Sequence, residues 1–287
     1  MKEKCILLIK THIWPLCENA EAHGVNLLDT CKKYLSGIEE YNALPNRKYD
    51  YEFCILLDGT NASVTENPLE CAVHETSVDE IKKHKFIHCK SDAFKSPTVR
   101  ARKYNSHATP ILWYNSEYLL LDYYLTNNSE YEYYWVFEYD VLPVGDFAKY
   151  LQAYDDIVDD FLTYNLKYKT PQVGRHSGLG VDKRWWWWGC MSGFDFEEQV
   201  GSYLPVNRFS NRAVAELIKT YKAGAHGYCE LLIPSVIHAA GMSLDGLWLT
   251  SHDYFDDCKL FHKRKELLGG TNPPPIRKQN ENKQDKR

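Results

Sequence analysis

No run of about 18 apolar residues occurs in the 287 residues, so no segment reads as a membrane-spanning helix. Paired Cys-x-x-Cys motifs are missing too. The nine cysteines, at 5, 17, 31, 54, 71, 89, 190, 229 and 258, are odd in number and lack zinc-ribbon spacing. In a chain of this size without an export signal they read as buried thiols rather than a disulfide framework. For the same reason the sequons Asn61-Ala-Ser63 and Asn127-Asn-Ser129 carry little weight. The opening is charged, but its apolar run, Cys5 to Ile9, is short and no small-residue cleavage site follows; it reads as a core strand of a cytoplasmic protein. A Gly-rich triphosphate loop is also absent, which weighs against a nucleotidyltransferase.

What is present suits an enzyme-sized globular chain. With 44% hydrophobic residues it can bury a large core as one big domain or two small ones. Charge is unevenly spread: from Lys263 onward eight Lys or Arg face three acidic residues, so the tail carries +5 and residues 1–262 carry −10. A body that acidic is a poor partner for nucleic acid. The tail, with Pro273-Pro-Pro and few apolar residues, is expected to be disordered over residues 263–287.

Strand and helix patterns alternate through the first half. Cys5 to Lys10 and Tyr51 to Leu57 read as strands, with a helix between them carrying Val25, Leu28 and Leu35 and closed by Gly37. Ser77-Val-Asp-Glu80 is a capping box before the strand Phe86-Ile-His-Cys89, and Ile111 to Leu125 reads as another helix. Strands alternating with helices predict an α/β fold with a mostly parallel, Rossmann-type sheet. Pattern is less regular in the second half.

The most informative segment is Trp135-Val-Phe-Glu138-Tyr-Asp140-Val. An aromatic, nearly uncharged strand ends in two carboxylates one residue apart, which period-two alternation places on one side. At the carboxyl end of a parallel strand, two carboxylates can hold a hard divalent ion together with substrate phosphates. Acidic residues also sit at solvated strand ends, where a turn such as Pro143-Val-Gly145 begins. Next comes a helix expected over Phe147, Leu151, Tyr154, Val158 and Phe161, with Asp155-Asp156-Ile-Val-Asp159-Asp160 on its solvated face. That acidic run resembles the aspartate-rich box of isoprenoid synthases, but the strands argue against an all-helical bundle.

Lys183-Arg184-Trp185-Trp186-Trp187-Trp188 cannot point four indoles into one core, so the cluster is expected to form part of a ligand wall. Indoles stack on sugars and bases, and Arg184 can meet phosphate; individual indoles can equally pack under loops. Ser210 caps a helix that stops at Gly224. Pro234, tolerated in a first turn, starts the next helix near Cys229 or Glu230. Glu230 then sits at a helix N-terminus, where the dipole keeps a carboxylate ionised and fit to act as a general base. A capping role without chemistry is the alternative.

Taken together, Glu138-Tyr-Asp140-Val with Gly145-Asp146, the Trp-rich segment, Leu204-Pro205-Val-Asn-Arg208-Phe-Ser210 and His226-Gly-Tyr-Cys-Glu230-Leu-Leu-Ile-Pro234 resemble a sparsely characterised glycosyltransferase family. The resemblance covers roughly residues 110 to 250 and, more loosely, extends to the GT-A fold. It implies one catalytic domain over residues 1–262, with residues 1–145 binding a nucleotide-diphosphate sugar and residues 146–262 binding a glycan or other hydroxyl acceptor. By position, Glu138 and Asp140 stand for the Asp-x-Asp that holds Mn2+ or Mg2+, Glu230 for the base of inverting members, and His252 for the late histidine of the metal shell. The first Asp of that motif is Glu here, which leaves metal dependence open.

The reaction expected is transfer of a sugar from nucleotide diphosphate to a hydroxyl, with Thr11, His12 and Asp58 contacting the nucleoside at strand ends and Trp186, Trp187 and Arg184 completing the donor site. A non-catalytic carbohydrate-binding protein on the same scaffold is the alternative from another class.

Overall fold

The computed structural model describes residues 2–17, 20–22, 25–60, 62–84, 112, 115–127, 130–143, 145–169, 191–192, 199–247 and 255–257. Its first half contains β1 (Glu3–Thr11), β2 (Glu21–Ala22), β3 (Val25–Asn26), α1 (Leu27–Asn42), β4 (Tyr49–Asp58), β5 (Ala72–Thr76), α2 (Val78–Lys83), α3 (Glu117–Thr126), β6 (Tyr133–Glu138) and β7 (Val141–Pro143). Then follow α4 (Phe147–Ala153), β8 (Phe161–Lys169), β9 (Met191–Ser192), β10 (Gln199–Ser210), α5 (Asn211–Lys222), β11 (His226–Gly227), α6 (Cys229–Ala239), β12 (Leu244–Gly246) and β13 (Phe255–Asp257).

β1 needs cover on both faces and both edges because Cys5 to Ile9 is apolar throughout. It lies inside a seven-stranded sheet of order β12-β8-β10-β6-β1-β4-β5. Parallel pairing runs from Glu3 opposite Tyr49 to Thr11 opposite Leu57, and on the other side from Cys5 opposite Tyr133 to Lys10 opposite Glu138. β10 alone is reversed, pairing antiparallel with β6 and β8. The expected α/β architecture, a mostly parallel sheet flanked by helices, is what the chain forms.

Alternation sorts the strands onto two cores. Ile6, Leu8, Leu56 and Val136 pack under α3, α5 and α6, while Leu7, Ile9, Ile55 and Phe137 pack under α1 and α4. Each fully buried Leu, Ile or Val contributes roughly 1.5–3 kcal/mol by leaving water. Among the described residues, no helix is long and apolar enough to cross a membrane.

Several local expectations are met. Ser77 Oγ accepts from Glu80 N at 3.2 Å to open α2, Ser210 Oγ accepts from Ala213 N at 3.2 Å to open α5, and α6 begins at Cys229. Pro234 lies past the first turn of α6, however, and offers no N–H to the Glu230 carbonyl four residues back. The strand expected at Phe86 to Cys89 and the tail 263–287 lie outside the described residues.

Two readings are corrected. Gly37 does not close the first helix, since α1 runs through it to Asn42. Close approach of α4 is what calls for glycine there: a Cβ at 37 would lie 2.7 Å from Phe147 Cβ. The helix after the carboxylates ends at Ala153, and the acidic run beyond it is not a solvated helix face. Asp160 is buried, accepts from Ser210 Oγ at 2.8 Å and Ser243 N at 3.0 Å, and is gripped by the Arg212 guanidinium. Asp155 accepts from the Tyr41 hydroxyl, and Val158, expected in the apolar stripe, is exposed. Tertiary partners for the carboxylates, with Phe161 drawn into β8, outweigh the helical period.

Gly37→Ala is therefore expected to destabilise the fold by about 1–3 kcal/mol through overpacking. Urea unfolding checks this: the midpoint should fall with an unchanged slope, and an unshifted midpoint would mean α1 and α4 have room to separate.

Candidate functional site

Position on the sheet decides the site. Lys10, one residue before the carboxyl end of β1, has its side chain on the α3 and α6 face, directly opposite Glu138 at the end of β6. Its Nζ donates to Ser116 Oγ at 2.8 Å and pairs with Glu138 Oε1 at 3.1 Å. Side-chain exposure is 7% for Lys10 and 38% for Glu138, so the pair has a buried cationic end and a wet anionic end. Burial alone would lower the Lys10 pKa, but Glu138, Cys229 and Glu117 outweigh it and hold the ammonium above its ordinary value. The backbone locks this corner as well, with Tyr139 N donating to the Lys10 carbonyl at 3.1 Å.

Two further carboxyls surround the lysine. Glu230, in the first turn of α6, is 9% exposed, and its pKa is pushed up to about 8 by burial and then by the Glu138 charge, against the pull of Lys167, Lys10 and a Tyr228 hydrogen bond. The expectation that the helix dipole keeps Glu230 ionised is thus corrected: desolvation wins, and the carboxyl holds its proton at neutral pH. Glu117, opening α3, is pushed up to about 7 by burial despite accepting from the Tyr221 hydroxyl. Cys229 Sγ lies 3.9 Å from Ser116 Oγ, its thiol raised by burial. One buried group of acids, lysines and hydroxyls therefore fills the space between the carboxyl ends of β1 and β6 and the start of α6.

Thr11 and Asp58 end β1 and β4, the strand ends expected for them. Asp140 lies in the turn between β6 and β7, beyond the last strand residue Glu138, so strand alternation does not set its direction. Burial raises the pKa values of Tyr34 and Tyr139, and the Asp140 charge adds to it. His12 is exposed with its ring edge-on to Tyr139 at 5.0 Å. Thr11 Oγ1 is engaged with Ile13, donating to its carbonyl at 2.6 Å and accepting from its N–H at 3.1 Å. Asp58 is buried and caps its own turn, accepting from Thr60 N at 2.9 Å. Arg184, Trp186, Trp187 and His252 lie outside the described residues.

Sequence reading missed Lys10, Ser116, Glu117, Lys167 and Cys229. A cation closing an otherwise apolar strand was the one available signal at Lys10; the others come together only through the tertiary fold.

Mn2+ or Mg2+ would draw on Glu138 and Asp140. Among the described residues no group of three or more His, Cys, Asp or Glu is gathered for a metal, and Glu138 already faces the Lys10 ammonium. Of the three residues expected to hold the ion, Glu138 is thus engaged by an ammonium and His252 lies outside the described residues.

No known protein family and no curated protein matches the chain. Among solved structures it is similar to an inositol-1-phosphate CTP transferase from T. maritima, at 9% identity over 86% of this chain and 85% of that one, TM-score 0.36. It is also similar to the galactosyltransferase LgtC in complex with donor and acceptor sugar analogues, at 9% identity over 86% and 73%, TM-score 0.32. Likenesses this distant carry no argument about activity, which rests on the residues themselves.

Burial of Glu230 makes a signed prediction about stability. A folded-state pKa of about 8 lies above the roughly 4.3 of an unfolded glutamate, so between those values the native state binds the extra proton and stability falls as pH rises. Glu230→Gln lacks this penalty. Its thermal midpoint should gain on the wild type progressively from about pH 4.3 to about pH 8 and hold a constant lead above; parallel curves across that window would mean an ordinary carboxylate.

Proposed function

We propose that the chain is a glycosyltransferase that moves a sugar from a nucleotide-diphosphate donor to a hydroxyl of a glycan or other acceptor, with inversion. One observation carries the reading: a buried cation, Lys10, and a proton-accepting carboxyl, Glu230, converge at the carboxyl ends of β1 and β6, where α/β sheets bind ligands. Transfer needs both. The acceptor oxygen forms a bond to the anomeric carbon as the bond from that carbon to the diphosphate oxygen breaks. The electron pair leaves with the diphosphate, and the acceptor proton passes to the Glu230 carboxylate.

A raised pKa serves this step. An ordinary glutamate is ionised at neutral pH but too weak a base to take much of a hydroxyl proton, whereas one with a pKa of about 8 is a stronger base whose ionised form becomes available as pH approaches that value. Positive charge from Lys10 offsets the charge growing on the departing diphosphate.

Glu230→Gln keeps size and hydrogen bonding but cannot take the proton, so turnover should fall by roughly 10²–10⁴ while donor affinity holds. In the wild type, turnover should rise with pH up to about 8 and then level off. Proton NMR of the product reads its anomeric configuration, which should be opposite to the donor's; retention, or normal turnover by Glu230→Gln, removes Glu230 from the mechanism. Product identity separates the remaining classes: free nucleoside diphosphate marks sugar transfer, pyrophosphate marks a nucleotidyltransferase, and neither marks a binding protein.

A further inference from the structure

The Lys10 ammonium has three N–H donors and, among the described residues, two acceptors: Ser116 Oγ and Glu138 Oε1. A lysine buried this deeply is costly unless a counter-charge stays beside it. Its counter-charge is unusual in being the wetter member of the pair. Glu138 can move out to water when another anion takes its place, whereas Lys10 is anchored by Ser116 and walled in by α3 and α6.

We infer that Lys10 is the diphosphate-binding group of the donor site, that Glu138 is its resident counter-ion, displaced when donor binds, and that the site works without a divalent metal. This inference rests on the transferase reading and adds to it the chemistry of the phosphate subsite. A diphosphate carries more negative charge than one carboxylate and presents several acceptor oxygens, so it satisfies the third N–H as well as replacing Glu138. Ser116 positions the ammonium from the α3 side. Glu117, mostly protonated below about pH 7, adds little negative charge there to oppose the ligand.

The two cation models give opposite signs for one variant. If Glu138 were a metal ligand, Glu138→Gln would cost donor binding. If Glu138 is a counter-ion competing with the diphosphate, the same change keeps an oxygen for Lys10, removes the competing charge, and leaves binding as tight or tighter.

Calorimetric titration of the full chain with UDP and with GDP, in EDTA and again in manganese, tests this. Expected results are equal affinity in both buffers, undiminished affinity in Glu138→Gln, a loss of tenfold or more in Lys10→Met, and binding retained in Lys10→Arg, which keeps the charge. Thermal midpoints taken beside each titration separate lost binding from lost folding; should Lys10→Met fail to fold, the Glu138→Gln and EDTA arms still decide. Binding seen only with manganese and abolished by Glu138→Gln overturns the inference and leaves the transferase reading intact. Absence of binding by either nucleotide to folded wild type, in both buffers, overturns the transferase reading itself.

Discussion

Everything at the site depends on the register between β1 and β6. Parallel pairing that sets Cys5 against Tyr133 carries Lys10 to Glu138 five steps later. A slip of one residue would turn Lys10 toward α1 and α4, into the core around Phe137 and away from Glu138. Two apolar faces hold the register: each strand residue has one core it fits and one it does not. Packing on both sides of the sheet is what makes an ion pair of this kind affordable.

The second half is fastened by polar groups rather than by strand pairing alone. Arg208 on β10 is buried and donates to the Tyr154 carbonyl at 3.1 Å and the Ile157 carbonyl at 2.6 Å, while its guanidinium lies 4.2 Å from the Tyr133 ring centroid. Asp160 next to it ties β8, the start of α5 and the segment entering β12 together through Ser210, Arg212 and Ser243. Both residues clamp the chain between α4 and β8, which is why an acidic run that reads as a helix face is irregular and partly buried.

Much of this was legible in the residues. β1, β4 and β6 announce themselves as apolar runs, and Ser77 and Ser210 place their helices, because those signals are local. Glu138 and Glu230 were found for the same reason: one ends a strand, the other opens a helix. What local pattern cannot supply is depth. Glu230 reads as an ionised helix-terminal carboxylate until the surrounding core is seen to strip its water, and Gly37 reads as a stop until Phe147 arrives against it. Lys10 carries no local sign of its burial because its cover, α3 and α6, comes from far along the chain.

That distance has a consequence during synthesis. Lys10 and Ser116 stand 106 positions apart, and β6 follows later still. At roughly 5–20 residues per second, β1 waits on the order of 6 to 25 seconds for the strand that completes its other edge. In that interval Cys5 to Ile9 is an uncharged apolar segment with strong strand propensity, the kind that pairs with other nascent chains. Lys4 and Lys10 bracket it. The lysine that ends as the buried cation of the sheet therefore begins as a gatekeeper charge, keeping its own strand soluble until the partners that bury it have been made.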